Sequence, residues 1–457
     1  MKLKEKLAKL SNYAILGSFL AIEVFAFIIF SFGNSFLFFG ILNLVLLLLL
    51  ALLSFNELKV DGFMSSIKLF FPLMLFVLLT ALSNYSVGHL RINDFNIGQL
   101  IFIPLGLLSI ALCGNILAKN KTFKLSTFVL VMFSALALLV FINLLINLIN
   151  FGWFYSLKYK GYYMYYGGKR SEVEVSQLAY ALEGFQFIEV KMSHYAMYPA
   201  MLLTSGIALI YTKYKENKTI FLTYVGFIVL GILALLFVPS LIGLVFAIAV
   251  GLIILIIYLY NKFEMGRHKW PKIIMYVGLA LALIVVLVMI LNKNVPSVAN
   301  AISKSSLLNR LFNTNRIVRR YNEGIRDIFT SQRIFGFCAE QITPWDTIEI
   351  HLTGSAFFDS FMTSGFIGAI MFVSLFFFGF KGFAKNKYLE MKEKRYFLAL
   401  LAFVIFFTFM CLFFYEGEYG IFHQIYSPIY MTGPFMIVVL ILFYMNAKGT
   451  NSNGGRL

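Results

Sequence analysis

Twelve apolar runs dominate this chain, at 13–31, 35–54, 69–84, 97–117, 125–149, 193–212, 219–238, 241–260, 273–292, 355–380, 396–415 and 429–447. A helix needs about 20 apolar residues to cross roughly 30 Å of hydrocarbon. In lipid every backbone polar group must find its partner within the protein, which restricts such a chain to a bundle of helices. Composition agrees: of 457 residues, 60% are hydrophobic and only 13% charged, against roughly a quarter charged in soluble domains. A water-soluble globule is excluded. Three cysteines make no disulfide framework, since Cys113 and Cys411 fall within apolar runs and Cys338 stands alone outside them. The expected fold is all-α: a polytopic integral membrane protein of about 12 transmembrane helices, a single membrane domain over 1–457.

Charge orients it. An even number of spans puts both termini on one side. With the N-terminus inside, the inner segments hold 24 of the 38 lysines and arginines and the outer segments 14. Positive charge marks the inner side in short loops, whereas long ones translocate regardless. Without the two long outer segments the count is 24 against 1. The expectation is a multi-pass protein of the cytoplasmic (cell) membrane with both termini cytoplasmic. The net charge of +17 is then mainly a set of lysine collars facing anionic headgroups, and membrane lipids, not nucleic acid, are the partners it calls for. The start, MKLKEKLAKLSN, leads into an apolar run with no small-residue cleavage site after it, so the first helix is read as a retained anchor.

Two outer segments are too long to be turns: 150–192, the first extracytoplasmic loop, and 293–354, the large loop between helices 9 and 10. Connections beyond about 15 residues are usually functional or disordered, and every inner loop has 15 or fewer. The chemistry therefore faces outward, away from ATP and nucleotide-sugars. Arginine usage points the same way. Eight of eleven arginines are outside (Arg91, Arg170, Arg310, Arg316, Arg319, Arg320, Arg326, Arg333), while the inner side uses 21 lysines and only Arg267, Arg395 and Arg456. Topology asks for charge and not for arginine; a planar fork is preferred where phosphate or carboxylate oxygens must be gripped.

Six of those arginines lie between Arg310 and Arg333. At about 100° per residue from Arg316, the apolar Ile317, Tyr321, Ile325, Ile328 and Phe329 fall between about 100° and 220°, and Arg316, Arg319, Arg320, Glu323, Arg326 and Asp327 between about −80° and +40°. Such an amphipathic helix could rest on the membrane domain and turn its arginines to a phosphorylated headgroup; a solvated interfacial helix is the plainer alternative. His89, His194, His351 and His423 map to the outer side and only His268 to the inner. Loop 150–192 adds Trp153, Tyr155, Tyr159, Tyr162, Tyr163, Tyr165 and Tyr166, an aromatic belt or a set of sugar-stacking faces. Glu172, Glu174, Glu183 and Glu189 follow as candidate acceptors for sugar hydroxyls. HExxH, CxxC, GxxxxGKS and GxSxG are all missing, so no metal, nucleotide or serine-hydrolase chemistry is called for and no cofactor is expected.

The stretches RRYNEGIRDIFTSQRIFGF (319–337) and HLTGSAFFDSFMTSGFIGAIMF (351–372) resemble the signature of the O-antigen ligase/polymerase superfamily (WaaL/Wzy type). Arg319 or Arg320, Tyr321, Arg333 to Gly336, His351, and Gly365 to Gly368 match in order, as does Ser193–Ala196 at the start of helix 6. The family's second turn glycine reads Cys338 here, the basic residue expected after Ser240 reads Leu241, and His351 stands three residues before the family position, Gly354. The resemblance implies a GT-C-like membrane glycosyltransferase taking a polyprenyl-pyrophosphate-linked oligosaccharide on the outer face. It would polymerise repeat units for a capsule or O-antigen-type polysaccharide, with a chain-length regulator and a flippase as partners. It implies Arg319 and Arg320 as pyrophosphate ligands and His351 as base or acceptor positioner, with Arg316, Arg326, Arg333, His194, Arg170 and Tyr163 as further substrate contacts. The alternatives are a ligase passing glycan to an envelope acceptor, a flippase for the same lipid-linked oligosaccharide, and a non-catalytic scaffold.

Overall fold

A computed structural model describes residues 67–79, 108, 110–118, 123–151, 197–209, 217–237, 247–252, 254–256, 291, 295–304, 356–386, 391–413 and 433–453, together with Val45. Among these the secondary structure is helical throughout, with no strand. We label the helices α1 (Ile67–Leu79), α2 (110–118), α3 (Leu125–Phe151), α4 (Met197–Leu203), α5 (Lys218–Phe237), α6 (Ala247–Ile256), α7 (Pro296–Lys304), α8 (Ala356–Lys385), α9 (Met391–Phe413) and α10 (Gly433–Asn453). Three stretches are long and apolar enough to cross a membrane: Leu125–Ile142, Lys218–Leu236 and Gly365–Lys385. The runs at 13–31, 35–54 and 273–292 lie outside the described residues except at Val45 and Leu291.

Two expected spans are not uniform helices. The run 193–212 is α-helical only to Leu203 and tightens into a 3₁₀ helix over Thr204–Leu209. The Thr204 hydroxyl donates to the Met201 carbonyl at 2.6 Å, a three-residue reach that suits the tighter winding. The run 355–380 is broken at Gly365, whose φ of 69° and ψ of −175° belong to no helix. Helix α7, inside the long segment 293–354, was not expected from hydropathy. It opens on Pro296, whose missing N–H costs nothing in a first turn.

The bundle packs around α10. From Ile437 to Ala447 every residue of this helix is buried, the mark of a helix surrounded by protein. Hydrophobicity alone does not drive helices together in lipid, so close backbone approach and ring packing must. Gly382 and Gly379 of α8 face Asn446 and Leu442, and Gly114 of α2 faces Leu440, Phe443 and Tyr444. Phe128 of α3 stacks on Tyr444 with centroids 4.1 Å apart. Phe372 joins α1, α8 and α10 through Phe76 (5.0 Å) and Phe435 (6.5 Å), and Phe407 ties in α9 through Phe435 (6.1 Å). On the outside, Phe377 is 66% exposed, with Phe71, Leu138, Leu236 and Ile370 also bare. Large apolar side chains displayed this widely suit a hydrocarbon solvent. Three hydroxyls within the spans are satisfied locally: Thr223, Ser374 and Thr408 each donate to the carbonyl four residues earlier, which pairs them in an apolar surrounding.

The contacts also fix which helix ends lie together. Asn386 closes α8 by donating to the Gly382 carbonyl at 2.9 Å and to Met445 of α10 at 2.7 Å. Lys448 of α10 pairs with Glu393 of α9 at 3.7 Å. Phe128, just inside α3, meets Tyr444, and Ile67 and Asn115 share a small crevice with Phe443. One end of the bundle thus gathers Lys68, Lys124, Lys381, Lys385, Lys394, Arg395 and Lys448. Lys218 joins them, because α5 runs antiparallel to α4, with Gly231 against Pro199 and Leu203 and Ile228 against Gly206.

Candidate functional site

At the opposite end of the bundle α3 finishes at Phe151, α4 begins at Met197 and α8 begins at Ala356. These are the attachment points of the two long segments. The first joins α3 to α4, both packed on α5; the second ends on α8, which is packed on α9 and α10. The described helix ends at which they attach, Phe151, Met197 and Ala356, are those opposite the lysine-bearing ends.

The side chains assigned to the chemistry stand within those segments. Tyr163, Arg170 and His194 lie between α3 and α4. Arg310, Arg316, Arg319, Arg320, Arg326, Arg333 and His351 lie between α7 and α8. All of them, and the arginine-rich amphipathic helix, are outside the described residues. In sequence His194 stands three residues before α4 and His351 five before α8.

The described rim of this end carries three features that hydropathy did not single out. Tyr198, in the first turn of α4, is buried at 1% exposure. Ser360, in the first half of α8, is buried at 3% and is engaged in a contact. The third is the break at Gly365. Positive φ with extended ψ is open essentially only to glycine, and the helical hydrogen-bond ladder is interrupted there. Such backbone is tolerated at membrane depth only when buried in protein or lining a cavity; Gly365 is buried. The rings of Phe361 and Phe366 meet edge to face across the break, 5.2 Å apart at 79°, so the bend is clamped and not loose. The residues before Gly365 thereby leave the axis of the span below, and these are the residues into which the His351 segment runs. The sequence does hold the signal, since Gly365 and Gly368 belong to the quoted motif, but an apolar run reads straight through a glycine.

Among the described residues no group of three His, Cys, Asp or Glu side chains comes together. Cys113 and Cys411 are buried and unbridged. Compared with protein-family models, curated proteins and solved structures, the chain matches none.

Proposed function

We propose that the chain is a membrane glycosyltransferase of twelve spans and GT-C-like fold that polymerises polyprenyl-pyrophosphate-linked oligosaccharide repeat units on the outer face of the cytoplasmic membrane. The observation that supports this reading is that the described helix ends to which the two long segments attach, Phe151, Met197 and Ala356, are the ends opposite those bearing the lysines, one segment being rich in arginine and the other in tyrosine. The resemblance of 319–337 and 351–372 to the O-antigen ligase/polymerase signature supports it.

The chemistry follows from the donor. As the glycosidic bond breaks, negative charge accumulates on the departing lipid pyrophosphate, and stabilising developing charge is usually the largest catalytic contribution. In this reading the Arg319 and Arg320 guanidiniums hold that pyrophosphate, assisted by Arg316, Arg326 and Arg333. His351 takes the proton from the acceptor hydroxyl as it attacks the anomeric carbon with inversion. Tyr163, Arg170 and His194 bind the glycan. No nucleotide is needed on this side of the membrane because the donor arrives already activated.

Alanine at Arg319, Arg320 or Arg333 tests this. Loss of one charge-stabilising donor should slow transfer by about 10²–10³-fold, so that single repeat units accumulate on the lipid carrier while protein levels stay normal. Full-length polymer in all three variants would refute the assignment. Long polymer stranded on the carrier after deletion of the chain would instead identify a ligase.

A further inference from the structure

Helix α8 is longer than crossing a membrane requires. Its apolar stretch Gly365–Lys385 has 21 residues, already about 30 Å of helix at 1.5 Å per residue, which matches the hydrocarbon core. The residues Ala356–Ser364 are additional to the span, and we call them the arm. Continued straight, the arm would stand roughly 13 Å beyond the boundary, with Ser360 half-way along it. Yet Ser360 is only 3% exposed.

The backbone at Gly365 accounts for the difference. Its φ of 69° and ψ of −175° turn the chain out of the helical path, and among the described residues no other glycine has a positive φ. For an apolar sequence in lipid the default is an unbroken helix, so something must hold the bend against it. Phe361 of the arm and Phe366, the first residue past the break, supply that hold through their edge-to-face rings, 5.2 Å apart. In a straight helix side chains five residues apart point about 140° away from each other, and their rings could not meet. The contact therefore belongs to the bent form alone. Neither the burial of Ser360 nor the ring pair contributes to crossing the membrane. The arm is also where the segment 293–354 enters the bundle, with His351 five residues before it, a tether of about 17 Å at most.

We propose that Gly365 is a positioning residue: its break folds the arm Ala356–Ser364 back against the protein, the Phe361–Phe366 contact locks it there, and the chain entering the arm is thereby delivered to a fixed place. The functional half of this proposal rests on the glycosyltransferase reading, in which that chain brings His351 to the acceptor hydroxyl. On so short a tether a misdirected arm misplaces the base, and a displacement of about 1 Å costs up to 10²-fold in rate.

The first measurement needs no substrate. The full chain carrying Ser360→Cys and Cys338→Ser is purified in detergent and treated with a hydrophilic maleimide, and labelling at position 360 is followed by mass spectrometry. This parent should label slowly. Adding Gly365→Ala should raise the rate about tenfold, and adding Phe366→Leu, which serves where the alanine variant folds poorly, about threefold. Phe366→Tyr keeps a ring at the clamp and should label as slowly as the parent. Equal rates in all of them would overturn the folded arm, whatever the activity. The second measurement is transfer of lipid-linked repeat units by chains without the cysteine changes. Gly365→Ala should lower kcat about 10²-fold with KM for the lipid-linked donor within about twofold, and Phe366→Leu should lower kcat about tenfold. Phe366→Tyr should keep wild-type turnover. Gly382→Ala, a strain at the other end of α8, should reduce the folded yield but not kcat per folded molecule. Wild-type kcat in both Gly365→Ala and Phe366→Leu, or a change in KM alone, would overturn the positioning role. A wild-type chain that transfers no glycan would instead sink the glycosyltransferase reading, and the labelling would still decide the arm.

Discussion

Replacing Gly382 by alanine tests the packing at the centre of the bundle. A Cβ added there would stand 3.0 Å from Asn446 Cα and 3.2 Å from both Asn446 N and Cβ. Optimal separation of carbon atoms is about 3.5–4.0 Å. The obstructing atoms are largely backbone, so no side-chain rotation relieves the contact and α8 must move away from α10 by roughly half an ångström to restore that separation. The movement would also stretch the bond from Asn386 to the Met445 carbonyl, now 2.7 Å. Overpacking of a well-filled interior costs about 1–3 kcal/mol. Gly226 of α5 is the control, because a Cβ there meets nothing within 4 Å; alanine should be neutral or stabilise the helix by about 0.5–1 kcal/mol. The assay is survival of monodisperse protein in mild detergent after heating, followed by size exclusion at one fixed heating rate, since such unfolding is a rate measurement. Gly382→Ala should lower the midpoint by about 2–4 °C for each kcal/mol lost, and Gly226→Ala should not lower it. A Gly382→Ala protein that survives as well as wild type would refute the close approach of α8 and α10.

Gly365→Ala forces a side chain into backbone space reserved for glycine and should cost about 1–3 kcal/mol in the same assay; an unaltered midpoint would mean that α8 is not broken there. Asn386→Leu removes the donor shared by Gly382 and Met445 and should destabilise by about 1–3 kcal/mol, because it strips the cross-helix partner from a buried carbonyl. A double-mutant cycle with Phe128→Leu and Tyr444→Leu should return a coupling of about 0.5–1.5 kcal/mol for the stacked rings, and strict additivity would show the stack to be energetically idle.

Hydropathy located the spans that it could see. The runs at 125–149 and 219–238 became Leu125–Phe151 and Lys218–Phe237, because in lipid an unbroken apolar stretch has no better way to pair its backbone than a helix. It failed where hydrogen bonding and apolarity part company. Helix α9 begins at Met391, five residues before the apolar run at 396, since Lys392, Glu393, Lys394 and Arg395 are sound helix formers that lie outside the hydrocarbon. Asn217 caps α5 through its side-chain oxygen and the Ile220 N–H, a signal that sequence does display. The tightening at Thr204 and the break at Gly365 are set by a hydroxyl and a missing Cβ, to which an average over twenty residues is blind. The described basic residues named above lie toward one end of the bundle, the grouping that the charge count leads one to expect of alternating helices. The assigned site residues, from Tyr163 to His351, lie outside the described residues, and for them the case rests on residue type and order.

Helix α10 is buried on all sides by elements that precede it in the chain. The ribosome therefore delivers α2, α3, α8 and α9 to the membrane before the strut they enclose exists. Until it arrives, the surfaces around Gly114 and Gly382 lack the helix they pack on in the finished chain. The scaffold then completes its core only when α10 docks, so nascent chains arrested short of residue 433 should be more readily proteolysed than the full chain.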